Sequence, residues 1–217
     1  MSVQVKICGL SEPETLRAAV QAGADWIGFV FVEKSPRAIT LAAAETLLFG
    51  VGRTTPVALL VDPDDELVRA VGRIGFPVIQ LHGAETPERC AAVRELGGAQ
   101  DVWKAVGVAS AADLARADAY AGFADRLLLD AKPPSSAELT GGTGEVFDWS
   151  LLKNWSAPMP WILAGGLTPE NVGEAIKATG AKAVDVSSGV ERARGLKDAQ
   201  RIEAFIKAAK ASDDEAK

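Results

Sequence analysis

Five side chains capable of more than packing sit at equivalent places along the chain. Cys8, His82, Asp130, Asp185 and Ser187 fall at or next to the ends of short aliphatic runs: VQVKIC, PVIQLH, DRLLLD and KAVDVS. Thiol, imidazole and carboxyl are the groups that exchange protons with a substrate near neutral pH. A lone cysteine at such a place is ordinarily a small buried apolar residue. The company Cys8 keeps turns that reading towards chemistry. Cys90, within ETPERCAAVREL, has no such company and reads as structural.

The elements that carry these residues alternate. Strands are predicted over 3–8, 25–31, 56–61, 77–82, 101–106, 125–130, 160–164 and 182–187, with helical segments at 12–22, 40–50, 63–73, 86–97, 110–120, 148–154, 169–179 and 198–210. Ser11 before Glu12-Pro13, and Thr168-Pro169-Glu170, read as helix starts, with proline early in the first turn. Eight strands alternating with eight helices imply parallel β/α units, and eight is the number that closes a barrel. The expected fold is therefore a single α/β domain, a (β/α)8 TIM barrel over residues 1–210. The tail 211–217 is expected to be disordered. A doubly wound open sheet is the alternative, because strand count does not prove closure.

Side chains alternate faces along a strand. Val3, Val5 and Ile7 oppose Lys6 and Cys8; Ile79 and Leu81 oppose Gln80 and His82; Leu127 and Leu129 oppose Leu128 and Asp130; Val184 and Val186 oppose Asp185 and Ser187. The apolar sets belong under the helices, which sends Cys8, His82, Asp130, Asp185 and Ser187 towards the carboxyl ends of the strands, where barrel enzymes place their chemistry. Gly165-Gly166 follow the seventh strand and Ser187-Ser188-Gly189 the eighth, the usual phosphate site of such a barrel. Small residues there let backbone N–H groups approach an anion. GGTG (141–144) adds a third glycine-rich element, inside the long 131–147 connection.

Composition removes other classes. The formal net charge is −6, with no long basic run, which argues against nucleic acid as a partner but permits a small phosphorylated ligand. No stretch is long and apolar enough for a membrane span, and the N-terminus lacks a signal-peptide core. Two cysteines do not form a disulfide framework, and the reading is a cytoplasmic protein. One histidine is too few for a dedicated zinc or iron site, so no metal is expected.

At this level of detail the chain resembles the phosphoribosylanthranilate isomerase family over nearly its whole length. The resemblance is carried by KICG (6–9), GFVF with SPR (28–31, 35–37), QLHG (80–83), LLLD (127–130), GGTGEVFDW (141–149), LAGGL (163–167) and DVSSGVE (185–191), in that order. It implies a (β/α)8 barrel without metal or organic cofactor. The implied reaction is the Amadori rearrangement of N-(5-phosphoribosyl)anthranilate to 1-(2-carboxyphenylamino)-1-deoxyribulose 5-phosphate, in tryptophan biosynthesis. It further implies Asp130 as general acid, protonating the ring oxygen, and Cys8 as general base at sugar C2. Such roles ask for a raised Asp130 and a Cys8 thiolate favoured by nearby positive charge, with Lys6 the candidate.

By the same resemblance Arg37 meets the anthranilate carboxylate, Asp185 bonds a sugar hydroxyl, and His82 lies in the pocket against the substrate. Gly142, Gly165, Gly166, Ser187, Ser188 and Gly189 surround the phosphate. The segment Ala193-Arg194-Gly195-Leu196-Lys197-Asp198 departs from the family's Ser-Pro-Gly before Lys-Asp. Monomer and homodimer both remain open.

Rival readings differ in what they need. A metal-dependent phosphosugar epimerase needs more histidines. A Schiff-base aldolase needs a lysine in the mouth, with Lys104 and Lys6 as candidates. A non-catalytic phosphosugar binder needs neither Cys8 nor Asp130. A dual-substrate barrel that also takes a histidine-pathway aminoaldose carries aspartate where this chain has Cys8.

Overall fold

A computed structural model describes residues 2–132 and 147–214, and no side chain is described beyond Ser212. The first strand, β1 (Gln4–Cys8), is followed by α1 (Pro13–Ala22), β2 (Trp26–Val30), α2 (Leu41–Leu48), β3 (Thr55–Leu60) and α3 (Asp65–Arg73). Next come β4 (Val78–Leu81), α4 (Pro87–Gly97), β5 (Asp101–Val108), α5 (Ala111–Ala117) and β6 (Arg126–Ala131). The last third holds β7 (Trp161–Leu163), α6 (Val172–Thr179), β8 (Ala183–Val186), the short pair β9 (Glu191–Ala193) and β10 (Leu196–Lys197), and α7 (Ala199–Asp214). Strands β1 to β8 close into a parallel barrel, sealed where Val5 registers with Val184 and Lys6 with Asp185. Closure disposes of the open-sheet alternative.

Strand parity divides the core as the alternation predicts. Val5, Ile7, Ile79, Leu81, Leu127 and Leu129 join the apolar layer between barrel and helices. Trp26, Val57, Val78, Trp103, Leu128 and Ile162 fill the barrel interior. Above them, Cys8 packs with Val30 and Leu59. Towards the amino ends of the strands, Trp26 and Trp103 meet edge to face at 5.2 Å, with the Arg126 guanidinium stacked over both. The barrel is a packed solid whose open chemistry lies at the other end.

Local signals set most helix starts. Thr40, Asp64 and Thr86 each accept a hydrogen bond from the backbone N–H three residues on, at 3.2, 2.8 and 3.2 Å. Three expectations are corrected. Thr168 caps a turn through Glu170 N, and α6 begins only at Val172, because Asn171 Oδ1 takes the Thr168 N–H and its amide bonds the Gly166 carbonyl. The segment expected to be helical over 148–154 is a 3-10 turn, Trp149–Leu152, started by Asp148 accepting from Ser150 N. The last helix continues through Asp214, so residues 211–214 of the expected tail are helical, and Ser212 Oγ donates to the Ala208 carbonyl. Residues 215–217 lie outside the described residues. No described helix is long and apolar enough to cross a membrane.

Candidate active site

Cys8 ends β1 facing inward, 4% exposed. Two positions back on the same face, Lys6 is fully buried, and its Nζ donates to Asp185 Oδ1 on β8 at 2.8 Å. The space both occupy depends on Gly28 of β2, the register partner of Cys8. A Cβ at Gly28 would stand 2.8 Å from Cys8 Sγ and 3.2 Å from Lys6 Nζ. Burial opposes the charge on Lys6, yet Asp185 and Cys8 more than offset it and hold the ammonium above its ordinary value. For Cys8 the balance falls the other way. Burial pushes the thiol up, against the opposing charges of Lys6 and Lys197 and with the help of Asp185. Nearby positive charge is present, as expected, but burial outweighs it and holds the thiol above its ordinary value.

Across the barrel, Asp130 in β6 is 8% exposed. Its Oδ1 accepts from the Ala131 backbone N–H at 2.9 Å, and its Oδ2 lies 3.3 Å from His82 Nε2. The other ring nitrogen, His82 Nδ1, lies 3.3 Å from Gln80 Nε2. Both nitrogens of His82 thus face protein groups, Gln80 on one side and Asp130 on the other. Gly165, at φ +81°, comes close to the acid: a Cβ there would stand 2.5 Å from Ala131 N and 3.1 Å from Asp130 Oδ1.

Arg37 is buried in the loop after β2 and forms a two-pronged pair with Glu191: Nε to Oε1 at 2.6 Å and Nη2 to Oε2 at 3.1 Å. Such a fork fixes the guanidinium plane and leaves Nη1 outside the pair. Gly9 makes room for it, since a Cβ at its φ of +78° would stand 2.8 Å from Arg37 Cδ. Lys197, also buried, donates to Glu191 Oε1 at 2.9 Å and to the Ser187 carbonyl at 2.8 Å. Burial acts to raise Glu191, but Arg37, Lys197 and the Gly195 N–H outweigh it and hold the carboxyl below its usual range.

Ser187 Oγ, expected at the phosphate, donates to the Cys8 carbonyl at 3.2 Å and lies 3.2 Å from Lys197 Nζ. Ser188 opens a three-residue 3-10 turn, and Gly189 lies so close to the Leu167 carbonyl that no Cβ fits between them. Gly166, at φ +62°, turns the β7 loop towards the same place. Gly142, with the rest of GGTG, lies outside the described residues.

Lys104 is not in the mouth. Its register partners, Leu81 and Leu127, belong to the outer layer, so Lys104 faces the helices. Its Nζ is held by Glu85 Oε2 at 3.1 Å and the carbonyls of Gly83 and Ala105 at 2.8 and 2.9 Å. That uses all three N–H bonds of the ammonium. Cys90 is likewise outside the mouth, fully buried, and its thiol is pushed up to about 11 by burial above all.

Sequence reasoning missed Gly28, Gln80, Glu191 and Lys197. Gly28 and Gln80 sit inside quoted motifs at inward parity, so that signal was available. Glu191 and Lys197 meet only because β9 and β10 pair antiparallel, a hairpin that the helix and strand periods do not announce.

Comparison with known proteins agrees with this geometry. The family model "N-(5'-phosphoribosyl)anthranilate (PRA) isomerase" matches residues 5–208. A protein of that name from Hyphomonas neptunium is 59% identical over 210 residues, covering 97% of this chain and 98% of its own. The solved phosphoribosyl anthranilate isomerase of Thermotoga maritima superposes with a TM-score of 0.85 at 39% identity, covering 96% and 99% of the two chains. A phosphoribosyl anthranilate isomerase solved in complex with reduced 1-(o-carboxyphenylamino)-1-deoxyribulose 5-phosphate gives 0.83 at 37% identity, with the same coverage.

Proposed function

The chain belongs to the N-(5'-phosphoribosyl)anthranilate isomerase family and is an isomerase of tryptophan biosynthesis; from that premise we propose that Asp130 and Cys8 divide its proton transfers. Asp130 gives a proton to the furanose ring oxygen, and the ring opens to a cationic imine. Cys8 then removes the proton at sugar C2, and the resulting enolamine tautomerises to the ketose. The observation that carries this reading is the pairing of two inward groups on opposite sides of one mouth, each backed by its own partner. Lys6 and Asp185 stand under Cys8, and His82 stands beside Asp130.

Cys8 becomes the base once its thiol has released its own proton to solvent, and the C2 proton then takes that place on the sulfur. Burial disfavours the thiolate, and Lys6 and Lys197 offset part of that. The cationic imine brings a further positive charge beside the sulfur at the step that requires it, and it acidifies the C2–H as well. Once Asp130 has lost its proton, the Ala131 N–H and the His82 ring stand by to receive the charge.

The substrate, a phosphosugar carrying an anthranilate carboxylate, suits the rest of the mouth. Arg37, its plane fixed by Glu191, offers Nη1 to the carboxylate. Asp185 keeps Oδ2 for a sugar hydroxyl while Oδ1 holds Lys6. Gly165, Gly166, Ser188 and Gly189 line the phosphate end, with Ser187 supporting it from behind through Cys8 and Lys197. A cysteine rather than an aspartate at the base position favours this one substrate over a histidine-pathway aminoaldose. Chemistry of this kind needs no organic cofactor, and a cytoplasmic home follows from the pathway.

The test is the anthranilate-fluorescence assay on freshly made substrate. Cys8→Ser and Asp130→Asn are each expected to lose turnover by roughly 10²–10⁴-fold with unfolding midpoints kept. An Asp130→Asn enzyme with full turnover would overturn the acid assignment.

A further inference from the structure

The two proton-transfer groups leave Gln80 unexplained. It is fully buried on the inward face of β4, two residues before His82. Its Nε2 lies 3.3 Å from His82 Nδ1, and His82 Nε2 lies 3.3 Å from Asp130 Oδ2. We infer that Gln80 is a positioning residue: its amide donates to Nδ1 and holds His82 as the Nε2–H tautomer, which donates to Asp130. The tautomer stands on geometry alone; its consequence for turnover rests on the reading of Asp130 as the acid.

A neutral imidazole has one donor nitrogen and one acceptor nitrogen, and the hydrogen bond at one decides the other. An amide nitrogen can only donate, so the ring nitrogen it faces is the acceptor and the ring proton sits on Nε2. What fixes the sense of the amide is its far end. Gln80 Oε1 is buried without a protein partner among the described residues, and so is Trp103 Nε1. These two residues are register partners on β4 and β5, and Trp103 is 1% exposed. An indole N–H only donates, so at this neighbouring position it complements the amide oxygen through one water molecule and opposes the amide N–H2.

The order therefore runs outward from the barrel interior. Trp103 orients Gln80, Gln80 selects the His82 tautomer, and His82 presents an N–H to the acid. With the Ala131 N–H on Oδ1, both carboxyl oxygens of Asp130 face donors. The carboxylate left by proton donation is thus received by groups already in place, with no ring flip between turnovers.

The chain has a single histidine, so the experiment needs no assignment step. In 15N-histidine-labelled protein at neutral pH, the two-bond 1H–15N spectrum distinguishes a protonated Nε2 from a protonated Nδ1. Wild type is expected to show Nε2–H. Gln80→Glu, which offers an acceptor, is expected to reverse the ring to Nδ1–H, and Gln80→Leu to give a mixture. Turnover is expected to fall by about tenfold in Gln80→Leu with KM within about twofold, the pattern of a misaligned acid.

Trp103→Phe covers the case in which a buried glutamate prevents folding. Freed of the indole N–H, the amide is expected to turn over in part, and an Nδ1–H population to appear. A wild-type ring protonated on Nδ1, or a tautomer indifferent to both Gln80 variants, would overturn the inference. A reversed ring with turnover intact would remove its catalytic consequence. Full turnover in Asp130→Asn would instead remove the reading of Asp130, leaving the tautomer claim standing.

Discussion

Among the buried lysine–carboxylate pairs of the described residues, two that join barrel strands to their surroundings do opposite work. Lys6 and Asp185 meet at 2.8 Å on the inner face, and Lys104 and Glu85 at 3.1 Å on the outer. The outer pair is closed. Lys104 spends its remaining N–H bonds on two carbonyls, while Glu85 accepts from the backbone of Asp62 at 2.8 Å and of Gly83 at 2.9 Å. It ties the loop after β4, which carries His82, to the flank of the barrel. The inner pair is open: Lys6 has one carboxylate and the neighbouring thiol, and Asp185 keeps an oxygen free of it. A saturated pair holds a fold, and an unsaturated one sets the electrostatics of its neighbour.

The largest test of that contrast is Lys104→Met. It strands a buried carboxylate, and the expected cost is about 3–5 kcal/mol in urea unfolding, with KM and kcat of the folded protein within about twofold. A variant of full stability but no turnover would place the outer pair in the chemistry and erase the distinction.

Lys6→Met strikes the inner pair. It removes the strongest charge opposing the burial of Cys8, so the thiol is expected to move further up and turnover to fall by roughly 10²-fold. Thiolate ultraviolet absorbance in a Cys90→Ser background follows Cys8 alone. No upward movement would show that Lys6 serves only as structure.

Glu191→Gln is the smallest of the three, at about 2 kcal/mol near neutral pH, through loss of charged hydrogen bonds to Arg37 and Lys197. Because the folded-state Glu191 lies below its ordinary value of 4.5, the native form binds fewer protons than the unfolded one. Its contribution is therefore present above about 4.5 and lost as pH falls through the lower, folded value. Thermal unfolding from neutral to acid pH should show a shallower acid limb in the variant, and an unchanged limb would reject the coupling.

Much of this is legible in the sequence, and parity shows why. One period-two rule sends Cys8, His82, Asp130 and Asp185 inward and their aliphatic neighbours out, and all follow it. The same rule, applied to Lys104 beside Val102, would have sent that lysine outward, away from an aldolase site. Other features are not in any local pattern. Whether Lys6 or burial governs Cys8 depends on how deep the thiol lies, a property of closure rather than of VKICGL. The Arg37–Glu191–Lys197 cluster needs a hairpin whose strands have three and two residues, too short to carry a period. At Thr168 the capping bond to Glu170 N forms, but Asn171 folds back onto Thr168 N and the Gly166 carbonyl, and α6 begins only at Val172.

The inner pair has a consequence for synthesis. Lys6 and Asp185 are 179 positions apart, as are Cys8 and Ser187. At roughly 5–20 residues per second, β1 leaves the ribosome about ten seconds or more before the strand that completes its surroundings. A nascent or prematurely released chain that lacks β8 carries Cys8 and Lys6 without the carboxylate that holds the ammonium. The surroundings of Cys8 are thus complete only when the eighth strand closes against the first.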